Sequence, residues 1–206
     1  MLNGNLINIY NLWFKKAKAD PDLALELKEI EGNMPVIEDA FYKDLEFGTG
    51  GLRGVIGAGT NRMNVYVVAR ASQGLSNYVI KHFAPAERKI AVSYDSRIKS
   101  DVFAKVAAEV FAANGIKVFI YPQLMPVPCL SFATRYLGCA AGIMITASHN
   151  PAKYNGYKVY GADGCQITSA AANDISFLNL IVTPFVWLNM ITQPCYPKLT
   201  ITYFDK

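Results

Sequence analysis

The chain has 206 residues, 52% of them apolar, and 20 Lys+Arg against 16 Asp+Glu leave a formal charge of +4. An apolar share slightly above the usual range of about 45–50% supports a buried core and excludes intrinsic disorder as the main state. The charges are mixed, with no run of five or more of one sign, which excludes a nucleic-acid-binding stripe. Four cysteines (Cys129, Cys139, Cys165 and Cys195) form no C-x-x-C pair, and there are only two histidines. Zinc-site spacing is absent, and a disulfide framework is not expected in a chain of this length. The N-terminal MLNGNLINIYNLWFKKAK has no basic start, apolar core and small-residue cleavage site in succession. A reducing cytoplasm is the expected compartment.

In chain order, Asn5 to Lys18 and Asp20 to Ile30 carry helical spacing. They are separated at Asp20-Pro21, where a capping aspartate precedes a proline at the first helical position. Gly32-Asn33 closes the second helix. The next stretch, LEFGTGGLRGVIGAGTNRMN, is too rich in glycine for a helix and reads as strand and turn. Asn64 to Phe83 is again helical. From Lys89 the texture changes to short apolar strands alternating with amphipathic helices. Ile90–Tyr94 is a strand. Ser100 or Asp101 should cap a helix whose Val102, Val106, Val110 and Phe103, Ala107, Phe111 stack at i, i+4, with Gly115 as its stop. Ile116–Tyr121 is a second strand, Cys129–Leu137 a helix, and Ala141–Thr146 a third strand. This order predicts an α/β fold with a mixed, mostly parallel sheet and helices on both faces. Beyond it, Asn155-Gly156 and Asp163-Gly164 read as turn pairs around a short strand, Tyr157–Tyr160, which would place Lys158 near the Ser148 loop. Between Ile175 and Pro197 no residue is charged, but Asn179, Pro184, Asn189 and Pro194 interrupt the run. The interruptions argue against a membrane-spanning helix, which wants about 20 consecutive apolar residues.

The glycine-rich segment fits neither a dinucleotide fingerprint, because Arg53 falls where a glycine is needed, nor a P-loop, because no Gly-Lys-Ser/Thr follows. What remains is an arginine in a glycine-rich bend, either a phosphate clamp or a solvated turn residue. Ser148-His149 does not make a hydrolase: there is no G-x-S-x-G, and a sequence neighbour rarely reaches the preceding hydroxyl. Phosphoryl transfer is better served. It needs an oxygen nucleophile at a strand end, cations around the phosphoryl oxygens, and a group to handle a proton. Ser148, Arg53 and Lys158 meet those needs; the alternative for Ser148 is an ordinary turn serine.

TASHNPAKYNGYK resembles the phosphoserine loop of the α-D-phosphohexomutases, the phosphoglucomutase/phosphomannomutase family. FGTGGLRG resembles that family's arginine loop, and SYDSR at Ser93–Arg97 its strand-end motif, in the same order along the chain. The resemblance implies that Ser148 carries a phosphoryl group and passes it to a hexose 1- or 6-phosphate. A bisphosphate intermediate then reorients, and the serine takes the other phosphoryl back. It further implies that Lys158 handles a proton, that Arg53 stabilises the transferred charge, and that His149 and Asn150 shape the site. Arg53, Asn150 and Lys158 would bind the phosphate, Mg²⁺ would be held partly by the phosphorylated Ser148, and a hexose 1,6-bisphosphate would serve as activator.

Family enzymes have four domains, and this chain resembles the first alone. The expected organisation is an N-terminal helical extension over 1–40, the phosphoserine domain over 41–174, and an atypical apolar tail over 175–206. The only D-x-D, Asp20/Asp22, sits at a helix start where capping explains it. The family texture ends by about Phe177, which is the expectation for a truncated or frame-disrupted product with a non-native tail. Such a chain should be inactive, or nearly so, as a mutase and should self-associate through uncovered domain-interface surface. The alternatives are a non-catalytic phosphosugar-binding or interaction module, and a short native protein whose tail packs on the sheet or meets a membrane. The expected partners are hexose phosphates, with no nucleic acid and no membrane.

Overall fold

The computed structural model describes residues 2–48, 50–179 and 201–204. Three helices lead: α1 (Leu2–Lys16), α2 (Pro21–Glu29) and α3 (Met34–Phe41). Asp20 caps α2 as its sequence position requires, its carboxylate accepting the Asp22 amide at 3.1 Å. Gly32 takes a left-handed φ of 79° to turn the chain into α3, which the helical spacing of the first 30 residues did not announce. Tyr10, Trp13 and Phe41 interlock edge to face. Trp13 also meets Tyr66, joining the extension to the helix that follows the glycine-rich segment.

The sheet runs β1-β5-β4-β2-β3-β6. Its strands are β1 (Gly51–Val55), β2 (Lys89–Tyr94), β3 (Lys117–Ile120), β4 (Ala141–Ile145), β5 (Tyr154–Gly161) and β6 (Ile201–Tyr203). β4, β2, β3 and β6 are parallel neighbours, and β5 runs antiparallel between β4 and β1. The connecting helices are α4 (Val65–His82), α5 (Ser100–Ala113), α6 (Val127–Tyr136) and α7 (Ser169–Asn179). Side-chain alternation distributes them over two faces. Ile90 and Val92 of β2 join Ile143 and Ile145 of β4 in one cluster with Phe103 and Phe111 of α5. Ala91 and Met144 point the other way and pack with Leu130 and Ala133 of α6. The fold is therefore the mixed, mostly parallel α/β sandwich that the strand–helix alternation predicts.

Two local expectations are corrected. Asn155-Gly156 is not a turn but lies within β5, opposite Gly54 and Arg53 of β1. Asn155 is fully buried, and its amide donates to Ile98 O and Ser100 Oγ, each at 3.0 Å. Those bonds take up the polar capacity that would otherwise favour a turn. Neither Ser100 nor Asp101 caps α5. The capping position is Lys99, at φ 60°, because the Ser100 hydroxyl instead donates to Asp95 at 3.0 Å. The boundary expected at 174/175 falls inside α7, whose Ile175 is completely buried. The apolar run beyond Asn179, as far as Pro197, lies outside the described residues. Among the described residues no helix is long and apolar enough to cross a membrane.

Candidate phosphoryl site

The site lies where the sheet changes from parallel to antiparallel. β1 begins at Gly51, whose φ of 139° no ordinary side chain adopts, and an added Cβ would stand 1.9 Å from Tyr157 O. The glycines are thus what allows β1 to lie against β5. That pairing sets Arg53 opposite Gly156 and Gly51 opposite Lys158. Lys158 is also paired with Met144 of β4, so it faces both neighbours. Arg53 and Lys158 consequently line one open cleft of about 490 Å³, together with Lys43, Asn61, Thr146 and Gln166. Lys43 pairs at 3.2 Å with Glu46, which lines the same cleft. Arg53 and Lys158 carry no acidic partner among the described ion pairs, so the cleft favours an anion.

Ser148 stands just past the end of β4, exposed, with a left-handed φ of 58°. Its amide donates to Thr146 Oγ1 at 2.9 Å, and the Asn150 amide closes the turn on Ala147 O at 3.1 Å. Arg53 Nη1 donates to Asn150 Oδ1 at 3.0 Å, which links the arginine loop to the Ser148 loop across a separation of 97 residues. Arg53 thus shares the cleft with Lys158 and separately bonds Asn150. Ser148 and His149 sit on the exposed turn immediately before Asn150. Sequence reasoning gave no role to Arg97 or Thr146, although both hold this turn. The available signal was SYDSR itself, an arginine just past the C-terminal end of a parallel strand, where α/β sheets gather their ligands.

The donor set around Ser148 does not fit a divalent cation by itself. Among the described residues no group of three or more His, Cys, Asp or Glu comes together, and Asp95, the nearby carboxylate, is occupied by Arg97.

The family model described as phosphoglucomutase/phosphomannomutase, alpha/beta/alpha domain I, matches residues 44–178. A phosphoglucomutase of Staphylococcus haemolyticus is 42% identical over 149 residues, spanning 71% of this chain and 27% of that protein. A human phosphopentomutase is 40% identical over 153 residues, 71% of this chain and 25% of that protein. A crystal structure described as a phosphomannomutase from Thermus thermophilus superposes with a TM-score of 0.61 at 33% identity, covering 66% of this chain and 30% of that one. The mixed sheet flanked by helices is thus an α/β/α domain of the kind that family model describes. The chain belongs to the phosphoglucomutase/phosphomannomutase family, whose domain I it contains, and it spans about a quarter of the length of the curated relatives it matches.

Proposed function

We propose that this chain is the phosphoserine-bearing domain of a sugar-phosphate mutase, with Ser148 as the phosphoryl carrier. The observation supporting it is the convergence of Arg53 and Lys158 on one cleft, with Arg53 bonded to Asn150 two residues after Ser148. The reaction is a balanced transfer. Ser148 Oγ forms a bond to phosphorus as the phosphorus–oxygen bond to the sugar breaks, and the serine proton ends on the released sugar hydroxyl. Arg53 and Lys158 neutralise charge on the phosphoryl oxygens, where a fixed cation is worth more than in water. Lys158, which lines the same cleft as Arg53, passes the proton. His149 shapes the exposed turn.

The substrate class is a hexose phosphate. A pentose phosphate is the second reading, favoured by the human phosphopentomutase at 40% identity. The matched relatives extend far beyond this domain, and most differential binding of a reorienting bisphosphate needs groups on more than one side of it. The isolated chain is therefore expected to accept a phosphoryl group without sustained turnover. The test is to incubate it with glucose 1,6-bisphosphate or ribose 1,5-bisphosphate in Mg²⁺ buffer and record the intact mass. Gain of one phosphoryl group on Ser148, absent in Ser148→Ala, supports the reading, and the more effective bisphosphate names the sugar class. Binding of either sugar without mass gain replaces it with the non-catalytic binding module.

A further inference from the structure

The two arginines beside Ser148 have opposite surroundings. Arg53 is exposed and linked to Asn150 through one nitrogen. The Arg97 side chain is only 14% exposed, and both of its Nη groups are fully bonded. Its Nη1 donates to Pro151 O at 3.3 Å and Tyr154 O at 3.1 Å, and its Nη2 to Ser148 O at 2.5 Å and Asn150 O at 2.8 Å. Its Nε faces Asp95 Oδ2 at 3.6 Å. A guanidinium carries four Nη hydrogens and one Nε hydrogen in a rigid plane, and here four carbonyls and a carboxylate surround them. The four Nη hydrogens are taken by carbonyls and the Nε edge faces a carboxylate that would repel a phosphate, so Arg97 is not a second anion clamp.

What it grips is the turn from Ser148 to Tyr154. Asp95 is fixed in turn by the Arg97 amide at 3.0 Å and the Ser100 hydroxyl at 3.0 Å, and Ser100 Oγ accepts from buried Asn155 of β5. The grip therefore reaches the sheet on both sides of the turn. A serine with φ of 58° is in a conformation that side chains rarely hold without outside support. Resting on the function proposed above, we propose that Arg97 is a positioning residue: it holds Ser148 in its left-handed geometry, and thereby sets the nucleophile, without touching the substrate.

A lysine cannot supply this, since one ammonium offers three hydrogens from a single point. The test compares the 206-residue chain with Arg97→Lys by carbon and nitrogen NMR and by the rate of phosphoryl uptake from a sugar bisphosphate. The expected result is loss of the left-handed Cα/Cβ shift signature at Ser148, with Val92 and Ile143 unmoved in the sheet. Uptake should slow by about 10- to 100-fold with unchanged half-saturation, the mark of misplacement rather than lost binding. Free guanidinium ion should restore part of the rate in Arg97→Ala. Retention of both signature and rate in Arg97→Lys overturns the proposal. A wild-type chain that takes up no phosphoryl group refutes the functional reading instead, and the Ser148 signature then decides the positioning claim by itself. Should the variants not fold, the wild-type spectrum decides. Four separate, slowly exchanging Arg97 Nη signals support the grip, and averaged ones overturn it.

Discussion

Lys99 gives the sharpest test of how the N-terminal extension is held. Its ammonium lies 2.7 Å from Asp20 Oδ2 and 2.9 Å from Asp22 Oδ2. The Asp20 side chain is 9% exposed and that of Asp22 78%, so the two contacts are unequal. The exposed pair is worth less than about 1 kcal/mol. Removing a partner from a buried pair costs about 3–5 kcal/mol, but Asp20 keeps its bond from the Asp22 amide and some contact with water. Lys99→Met should therefore lose about 2–3 kcal/mol in all. A second term opposes this. Lys99 has φ of 60°, a conformation that costs a residue bearing a Cβ about 1–2 kcal/mol and glycine almost nothing. Lys99→Gly should thus lose only about 1–2 kcal/mol, reversing the usual penalty for glycine, because the capping position tolerates it. Urea unfolding followed by circular dichroism at moderate salt measures both. Adding Asp20→Asn, which preserves the cap, to Lys99→Met should recover part of the loss. The reasoning is refuted if Lys99→Met lies within about 0.5 kcal/mol of wild type, which is the surface-substitution range, or if Lys99→Gly is the less stable of the two. Burial works against the Lys99 ammonium, but its bonds to both aspartates outweigh this and hold its pKa above the ordinary lysine value. Its contribution is therefore present below the ordinary lysine pKa and is lost as pH rises through the higher folded value.

Gly156→Ala should cost about 3 kcal/mol or more, since its Cβ would meet Thr146 O at 2.6 Å and Leu52 O at 2.9 Å, both backbone. A near-wild-type urea midpoint would show that β1 and β4 can part freely. Glu26 accepts the Ala58 amide at 2.9 Å, and burial raises its carboxyl above the ordinary Glu value despite that bond and the charges of Arg62 and Lys99. The folded state holds that proton more tightly than the unfolded chain, so Glu26's contribution to stability falls as pH rises through the window just above the ordinary value. Glu26→Gln should flatten that slope and keep or raise stability at neutral pH, whereas Glu26→Ala should lose about 1–2 kcal/mol through the unpaired amide. Urea midpoints followed across that window check both, and a steeper slope in Glu26→Gln would sink the argument.

The sheet's order of elements was legible because parallel strands buried on both faces read as short apolar runs separated by amphipathic helices. Ile90–Tyr94 and Ala141–Thr146 announce themselves in this way, and Asn64 announces the helix it caps, its side chain accepting from Tyr66 and Val67. Asn155-Gly156 misled because local turn chemistry is identical whether asparagine faces solvent or is buried against Ser100. Only the tertiary contact decides. Lys99 misled for a related reason, as nothing in its own side chain marks a left-handed residue held by two distant aspartates. Two cations named from the sequence, Arg53 and Lys158, do share one cleft. The grip of Arg97 was not legible, because it consists of carbonyl oxygens that every sequence possesses.

The pairing of Arg53 with Gly156 joins strands about a hundred residues apart, and closing a loop of that length costs about 4 kcal/mol in chain entropy. Nothing local repays it, so β1 must wait for the centre of the sheet to exist. A ribosome adding about 5–20 residues per second exposes the glycine-rich strand for about 5–20 s before its partner emerges. During that interval Arg53 stands on an unpaired strand with no cleft around it. The cleft is therefore assembled only after the centre of the sheet has emerged. The delay is a property of the strand order and would accompany this domain into any longer protein that contains it.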